Sequence, residues 1–279
     1  MSKKSKLLCA IAGSALAAAA VTAYLIAPEK TDEEKKSAFF GRNIAHRGLH
    51  TPDGSVPENS LEAFRLAVEA GYGIELDVHL TVDDRVVVFH DDTLERMCGC
   101  SFAIDELTYD ELKKLRLGDT DAQIPLLSEV LGMVSGRVPI VLEIKRGAVG
   151  RNQILCERTY ELLRCYNGDV CIESFDPLIM RWWKKNVPGM MRGQLTPTYS
   201  ESKKFINRVG AFILSNVMTN FLSRPHFIAC GLDGKKPPLV KVCEKMGAMK
   251  VAWTSHDWSN EIDNDVVIFE HYRPRAKFK

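Results

Sequence analysis

Glu75 and Asp77 lie two positions apart in the otherwise apolar run GIELDVHL (73–80), and Glu143 and Lys145 repeat that spacing at the end of PIVLEIK (139–145). A β-strand alternates its side chains with a period of two, so each pair shares one face. Two carboxylates aimed the same way from a buried strand repel each other unless a cation lies between them. Three of them, from two strands, form a hard oxygen donor set suited to one divalent cation, Ca2+ or Mg2+. A surface strand with solvated charges shows the same alternation. Here, however, the neighbours are apolar and the charges gather toward the C-terminal ends of the runs.

His46 and His90 also close apolar runs, in IAHRG and VVVFHD. A single histidine in such a place is ordinarily structural. Two beside a carboxylate cluster can supply a general base and a general acid near neutral pH. Asp91 or Asp92 stands close enough in sequence to orient His90. Arg47 adjoins His46, and Lys145 follows Glu143. A divalent cation, an arginine and a lysine around two histidines make a site for handling phosphate.

These residues need a scaffold that brings several strand ends together. Eight short apolar runs read as buried strands: 43–48, 73–80, 85–91, 139–145, 169–175, 189–195, 227–232 and 249–255. Amphipathic segments of helical period separate most of them. Leu61, Phe64, Ala67 and Val68 share a helical face, with Asn59 and Glu62 spaced as a capping box before it. Thr108 and Glu111 repeat that box, Pro177 opens a helix and Pro188 closes it. The pattern predicts an α/β fold, either a (β/α)8 TIM barrel or a doubly wound sheet. About 240 residues suit the barrel, and no glycine-rich phosphate loop follows the first strand, which argues against a dinucleotide-binding sheet.

The pieces HRG, PENS, ELDVHLT and HDDTLER, followed by LTYDELKKLRLG, IPLLSEVL, VLEIK and a weaker AWTS, closely resemble the glycerophosphodiester phosphodiesterases across nearly all of residues 42–256. The resemblance implies a (β/α)8 barrel that hydrolyses a glycerophosphodiester to glycerol 3-phosphate and an alcohol, using a divalent metal. It implies that His46 and His90 are the acid/base pair and that Glu75, Asp77 and Glu143 are the metal ligands. Arg47 and Lys145 would hold the phosphate, and Trp253 would line the substrate mouth or pack in the barrel. Two departures bear on substrate choice. Trp253 is followed by Thr254-Ser255-His256, and the last apolar run reads VVIFEHYRP (266–274). The stretch between His90 and Glu143 leaves little room for an insertion over the glycerol pocket. A lysolipid or a cell-wall glycerophosphate polymer is therefore an alternative substrate, and a non-catalytic phosphodiester-binding barrel a more distant one. His226, His256 and His271 read as surface or structural histidines.

The 279 residues carry 37 basic and 36 acidic side chains, so no net field favours nucleic acid. The asymmetry lies at the N-terminus. Residues 7–27 carry no charge over 21 positions, enough helix to cross a bilayer, and Lys3, Lys4 and Lys6 precede them. This predicts a single-pass N-terminal transmembrane helix with the catalytic domain outside the cytoplasm. A cleaved signal peptide near Ala18 and Ala20, giving a secreted protein, is the alternative. Residues 28–40 read as a linker and 41–279 as the barrel domain. The eight cysteines are scattered, and those inside apolar runs read as small buried hydrophobes. Cys98 and Cys100 lack the spacing and the second pair of a zinc knuckle.

Overall fold

The computed structural model describes residues 3–197 and 207–279, and of residues 3, 4 and 6–10 the backbone alone. Nine strands follow in chain order: β1 (Arg42–Ala45), β2 (Gly73–Leu80), β3 (Val86–Val88), β4 (Ile140–Ile144), β5 (Val170–Ser174), β6 (Met191–Thr196), β7 (Phe227–Gly231), β8 (Met249–Ser255) and β9 (Val266–Phe269). All except β3 pair in parallel with their neighbours. β1 bonds both β2 and β9, which closes an eight-stranded barrel. Such strands are covered on both faces, which is why they read as continuous apolar runs.

The run 85–91, expected as a barrel strand, is instead a hairpin partner. β3 pairs antiparallel with β2, Val78 opposite Val88 and Leu80 opposite Val86. The few residues between them allow only a hairpin, because a parallel crossover needs a dozen or more. The eighth barrel strand is β9, which lies in the segment 266–274 that the sequence marks only as a departure. The expected total of eight thus arises from two compensating misassignments.

Inside the barrel Ile44, Val141, Cys171, Met191, Ala229, Met249, Val251, Val266 and Ile268 pack into one core. A Cβ at position 193 would lie 2.0 Å from the ring of Phe227, so glycine there lets that ring cross the interior. Outside the barrel, helices bury one stripe each. α3 (Leu61–Glu69) buries Ala63, Phe64, Ala67 and Val68, while Leu61, expected on that face, is 38% exposed. The cap of α3 is Ser60, whose Oγ accepts the N–H of Ala63 at 3.1 Å, and not Asn59. Between β3 and β4 the chain builds a small core of its own from Phe89, Leu94, Ile104, Leu112, Leu117 and Ile124.

The expected linker 28–40 is part of the fold. It contains α2 (Glu33–Phe39), capped by Asp32, whose carboxylate accepts the Glu34 N–H at 2.8 Å. Phe39 is 3% exposed and closes the lower end of the barrel core. Burying that ring contributes about 2–3 kcal/mol. Just before α2, Glu29 pairs with the fully buried guanidinium of Arg192 on β6. α1 (Lys3–Ile26) ends against the barrel: Ile26 is fully buried with Val217, Ile228, Val240 and Cys243. Asn220 Nδ2 and Arg224 donate to the carbonyls of Ile26 and Tyr24 at 3.2 and 2.6 Å. Packing with the barrel therefore begins near Tyr24. Residues 11–21 of α1 are exposed. Among the described residues no helix is long and apolar enough to cross a membrane. The side chains of residues 7–10, the first part of the expected span, lie outside the described residues. Among the described residues no disulfide forms, and Cys156, Cys171, Cys230 and Cys243 are buried thiols.

Candidate active site

β2 delivers Glu75 and Asp77 to the barrel interior, and β4 delivers Glu143, whose Cα is the register partner of Asp77. All three are buried, and their oxygens lie within 4.8 Å of one another. Lys145 Nζ reaches across to Asp77 Oδ1 at 2.8 Å and to Glu143 Oε2 at 2.9 Å. The backbone N–H of Arg47 donates to Glu75 Oε2 at 3.1 Å, while its Nε stands 3.5 Å from Asp77 Oδ2. Burial, then the charges of Asp77 and Glu143, push Glu75 well above the usual carboxylate range. Burial pushes Glu143 up to about 7 against the pull of Lys145. Asp77 goes the other way, because Lys145 and Arg47 outweigh its burial. Three ionised carboxylates against two cations leave one formal negative charge. Convergent, buried, all-oxygen donors that resist ionising together fit a hard divalent cation. With it the pocket carries one formal positive charge, the complement of a phosphodiester monoanion.

His46 follows β1 at a tight turn. Arg47 has φ 53° and Gly48 φ 80°, and a Cβ on Gly48 would lie 2.7 Å from the backbone of Ala63 in α3. Only glycine lets the turn and the start of α3 pack this closely. The turn aims the imidazole between two carboxylates. Nδ1 lies 3.0 Å from Glu270 Oε2, at the end of β9, and Nε2 lies 4.0 Å from Glu75 Oε2. A carboxylate on Nδ1 holds the proton there and leaves the Nε2 lone pair facing the acidic cluster. Burial lowers the pKa of His46 despite Glu270, so the ring is neutral at pH 7.

His90 arrives through the β2–β3 hairpin, where the Phe89 N–H donates to the Asp77 carbonyl at 3.0 Å. Of the two candidate partners, Asp91 takes its Nδ1, at 2.6 Å. Asp91 in turn accepts from Arg96 Nε at 2.6 Å, Arg96 donates to Glu58 at 2.7 Å, and Glu58 accepts from Arg47 at 2.8 Å. One chain of ion pairs thus ties the His90 side of the mouth to the HRG turn. Burial lowers the pKa of His90 to about 4. Trp253 at the end of β8 is half-buried against Phe175, ring centroids 5.6 Å apart, with its Nε1 lacking a partner.

All eight residues expected from the sequence therefore stand around one end of the barrel, the end where (β/α)8 enzymes build their sites. Several neighbours were not anticipated. Asn59 Nδ2 donates to Asp77 Oδ2 at 2.9 Å, so this residue orients a candidate ligand and is not a helix cap. Glu58 and Glu270 orient Arg47 and His46. Glu173 on β5 is 1% exposed beside Glu143, its Oε2 unpartnered, and burial followed by the Glu143 charge pushes it well above the usual carboxylate range. Its signal was present: a lone acid in the apolar run VCIESF is the pattern that exposes Glu75. His226 is structural, its Nδ1 accepting the Arg192 N–H at 3.2 Å.

Residues 46–272 match the model of the glycerophosphoryl diester phosphodiesterase family. The chain is 33% identical over 222 residues to the glycerophosphodiester phosphodiesterase of Caldanaerobacter subterraneus subsp. tengcongensis, covering 76% of this chain and 84% of that one. It is 34% identical over 164 residues to human lysophospholipase D GDPD1, covering 53% of this chain and half the length of that protein. Among solved structures, an Oleispira antarctica phosphodiesterase in complex with the product sn-glycerol-3-phosphate superposes with a TM-score of 0.68 at 23% identity, over 84% of this chain and 94% of the other. The glycerophosphodiester phosphodiesterase of Thermotoga maritima gives 0.62 at 28% identity, over 81% and 93%. With the barrel, the acidic cluster and the paired histidines in place, the chain belongs to the glycerophosphoryl diester phosphodiesterase family.

Proposed function

We propose that the protein hydrolyses glycerophosphodiesters to glycerol 3-phosphate and an alcohol, with one Ca2+ or Mg2+ held by Glu75, Asp77 and Glu143. The observation that carries this reading is the convergence of three buried carboxylates within 4.8 Å, bridged by Lys145. The ion supplies Lewis-acid polarisation of a phosphoryl oxygen. Arg47 and Lys145 bind the anionic diester and offset the charge that develops on its oxygens. Glu270 holds His46 and Asp91 holds His90 through Nδ1, which leaves Nε2 of each for proton transfer. One of the two, neutral, takes the proton from the nucleophile, and the other, entering the step as imidazolium, gives one to the leaving alkoxide. Trp253 and Phe175 wall the mouth and favour an apolar or quaternary-ammonium substituent on the alcohol.

The protein is further proposed to be held at a membrane through residues 7–27, with the barrel outside the cytoplasm. Supporting this are the uncharged stretch, the lysines before it, and the exposed Ile11, Leu16 and Val21 of α1. A lysolipid substrate is the second reading, favoured by the resemblance to lysophospholipase D and by that placement. The test is a panel of glycerophosphocholine, glycerophosphoethanolamine and lysophosphatidylcholine, assayed with added Ca2+ or Mg2+ on membrane and soluble fractions. Release of glycerol 3-phosphate from the first two by the membrane fraction is expected. Turnover of lysophosphatidylcholine alone would shift the assignment to the second reading, and turnover of none would overturn both. Activity confined to a soluble form lacking residues 1–20 would replace the anchor with a cleaved signal.

A further inference from the structure

The upper barrel interior divides into two halves. The charged half comes from β1, β2 and β4 and carries Glu75, Asp77 and Glu143. The apolar half comes from β5 to β8 and the residues at their ends, among them Phe175, Phe227 and Trp253. Glu173 stands where the halves meet. Its register partner on β4 is Glu143, and on β6 it is Gly193, where the Phe227 ring crosses. Cys171 and Phe175, two positions to either side, pack in the barrel core, so the strand period turns Glu173 inward with them. Its side chain is buried and its Oε2 has no hydrogen-bond partner. Lys145 is engaged by Asp77 and Glu143 and leaves it without an ion pair.

The charges of the catalytic half close without this residue. Ionised Glu75, Asp77 and Glu143, set against Arg47, Lys145 and one divalent cation, leave one positive charge, and a phosphodiester anion cancels it. Glu173 is not among the three acids whose oxygens lie within 4.8 Å, so it is not placed to share their cation. It remains a buried acid for which the protein supplies no countercharge, an arrangement that burial penalises. Beside it on the same strand, Phe175 meets Trp253 at 5.6 Å with the rings 81° apart, so the two make a corner of aromatic walls. Aromatic faces attract an ammonium group, and a carboxylate next to them completes its recognition.

We propose that Glu173, with Phe175 and Trp253, determines specificity by selecting diesters whose alcohol carries an ammonium group, such as choline or ethanolamine. The cation that the protein withholds from Glu173 is the one that the substrate brings. A zwitterionic diester satisfies both halves at once, its phosphate at the charged half and its ammonium at Glu173. An uncharged alcohol leaves the acid unpaired. The inference rests on the phosphodiesterase reading for the position of the phosphate, and goes beyond it in assigning the residue that discriminates between alcohols.

The test uses the full chain saturated with Ca2+ and reads binding by calorimetry with two monoesters, phosphocholine and its uncharged carbon isostere, neohexyl phosphate. Wild type should bind phosphocholine about tenfold more tightly. Glu173→Gln keeps the shape of the side chain and should bring the two ligands within about twofold of each other, with Ca2+ affinity unchanged. The same split should appear in KM for glycerophosphocholine against glycerophosphoglycerol. The comparison of the two monoesters needs no turnover, so its failure is distinct from a failure of hydrolysis, which release of glycerol 3-phosphate reads. Equal binding of the two monoesters by wild type, a preference that survives Glu173→Gln, or a loss of Ca2+ affinity in that variant would each overturn the subsite.

Discussion

Replacing Glu270 by Gln isolates the group that orients His46. The carboxylate accepts from Nδ1 at 3.0 Å, is 18% exposed, and has no lysine or arginine to share its charge among the described residues. A hydrogen bond to a charged group contributes about 1.5–3 kcal/mol, and it strengthens as the imidazole becomes imidazolium. At 1.4 kcal/mol per tenfold, Glu270→Gln should lower kcat by about 10- to 150-fold. The pH profile gives a second readout. Glu270 opposes the lowering of the His46 pKa by burial, through both its hydrogen bond and its charge. Without that charge the imidazolium is less favoured, so the limb belonging to His46 must move to lower pH, whichever proton role it plays. The assay is kcat against pH at saturating divalent cation, with metal affinity measured separately. A variant within twofold of wild type and with an unmoved limb would show that Glu270 does not act through His46.

Phe39→Ala should lower unfolding stability by about 3–5 kcal/mol, as for other large-to-small changes in packed cores, without altering metal affinity. Urea unfolding checks this, and a change below 1 kcal/mol would mean that α2 is not part of the barrel core. Removing residues 1–22 should leave a folded, active enzyme, whereas removing 1–40 should not, because Ile26, Glu29 and Phe39 are lost together. Burial, then Arg192, lowers His226 from 6.5 to about 4. Glu29 and Lys35 also face it, with smaller effects. Between those values the unfolded chain takes up a proton that the folded one refuses. This contribution is therefore complete above pH 6.5 and is lost as pH falls toward 4, by at most about 1.4 kcal/mol per pH unit. His226→Gln should flatten that part of the stability profile, and an unchanged acid slope would refute the assignment.

The acidic cluster was legible because charge inside an apolar strand is costly, and the period of two puts Glu75 and Asp77 on one face. The same logic reaches Glu173, yet one acid in VCIESF attracts less notice than a pair. Glu58, Asn59 and Glu270 lie in turns and at a strand end, where polar residues are ordinary, so only tertiary geometry separates them from solvated neighbours. Asn59 in particular carries the local signature of a helix cap. It takes φ 54° and sends its amide to Asp77, leaving the cap to Ser60. The direction of β3 is hidden in the sequence for a related reason. An apolar run carries no mark of strand direction, and the short turn before it holds that information. The residues before 41 read as solvated because their charge density hides one buried aromatic, Phe39, and one half-exposed acid, Glu29, that pairs with the buried Arg192.

The account rests on a divalent cation held by three carboxylates. The direct measurement is glycerol 3-phosphate release from glycerophosphocholine by metal-stripped protein, titrated with Ca2+ and with Mg2+, beside Glu143→Gln. No product should form before metal is added. Activity should return with one equivalent bound, and Glu143→Gln should need at least tenfold more cation to reach half its maximal rate. Full turnover in chelator, or a metal dependence identical in Glu143→Gln and wild type, would contradict it.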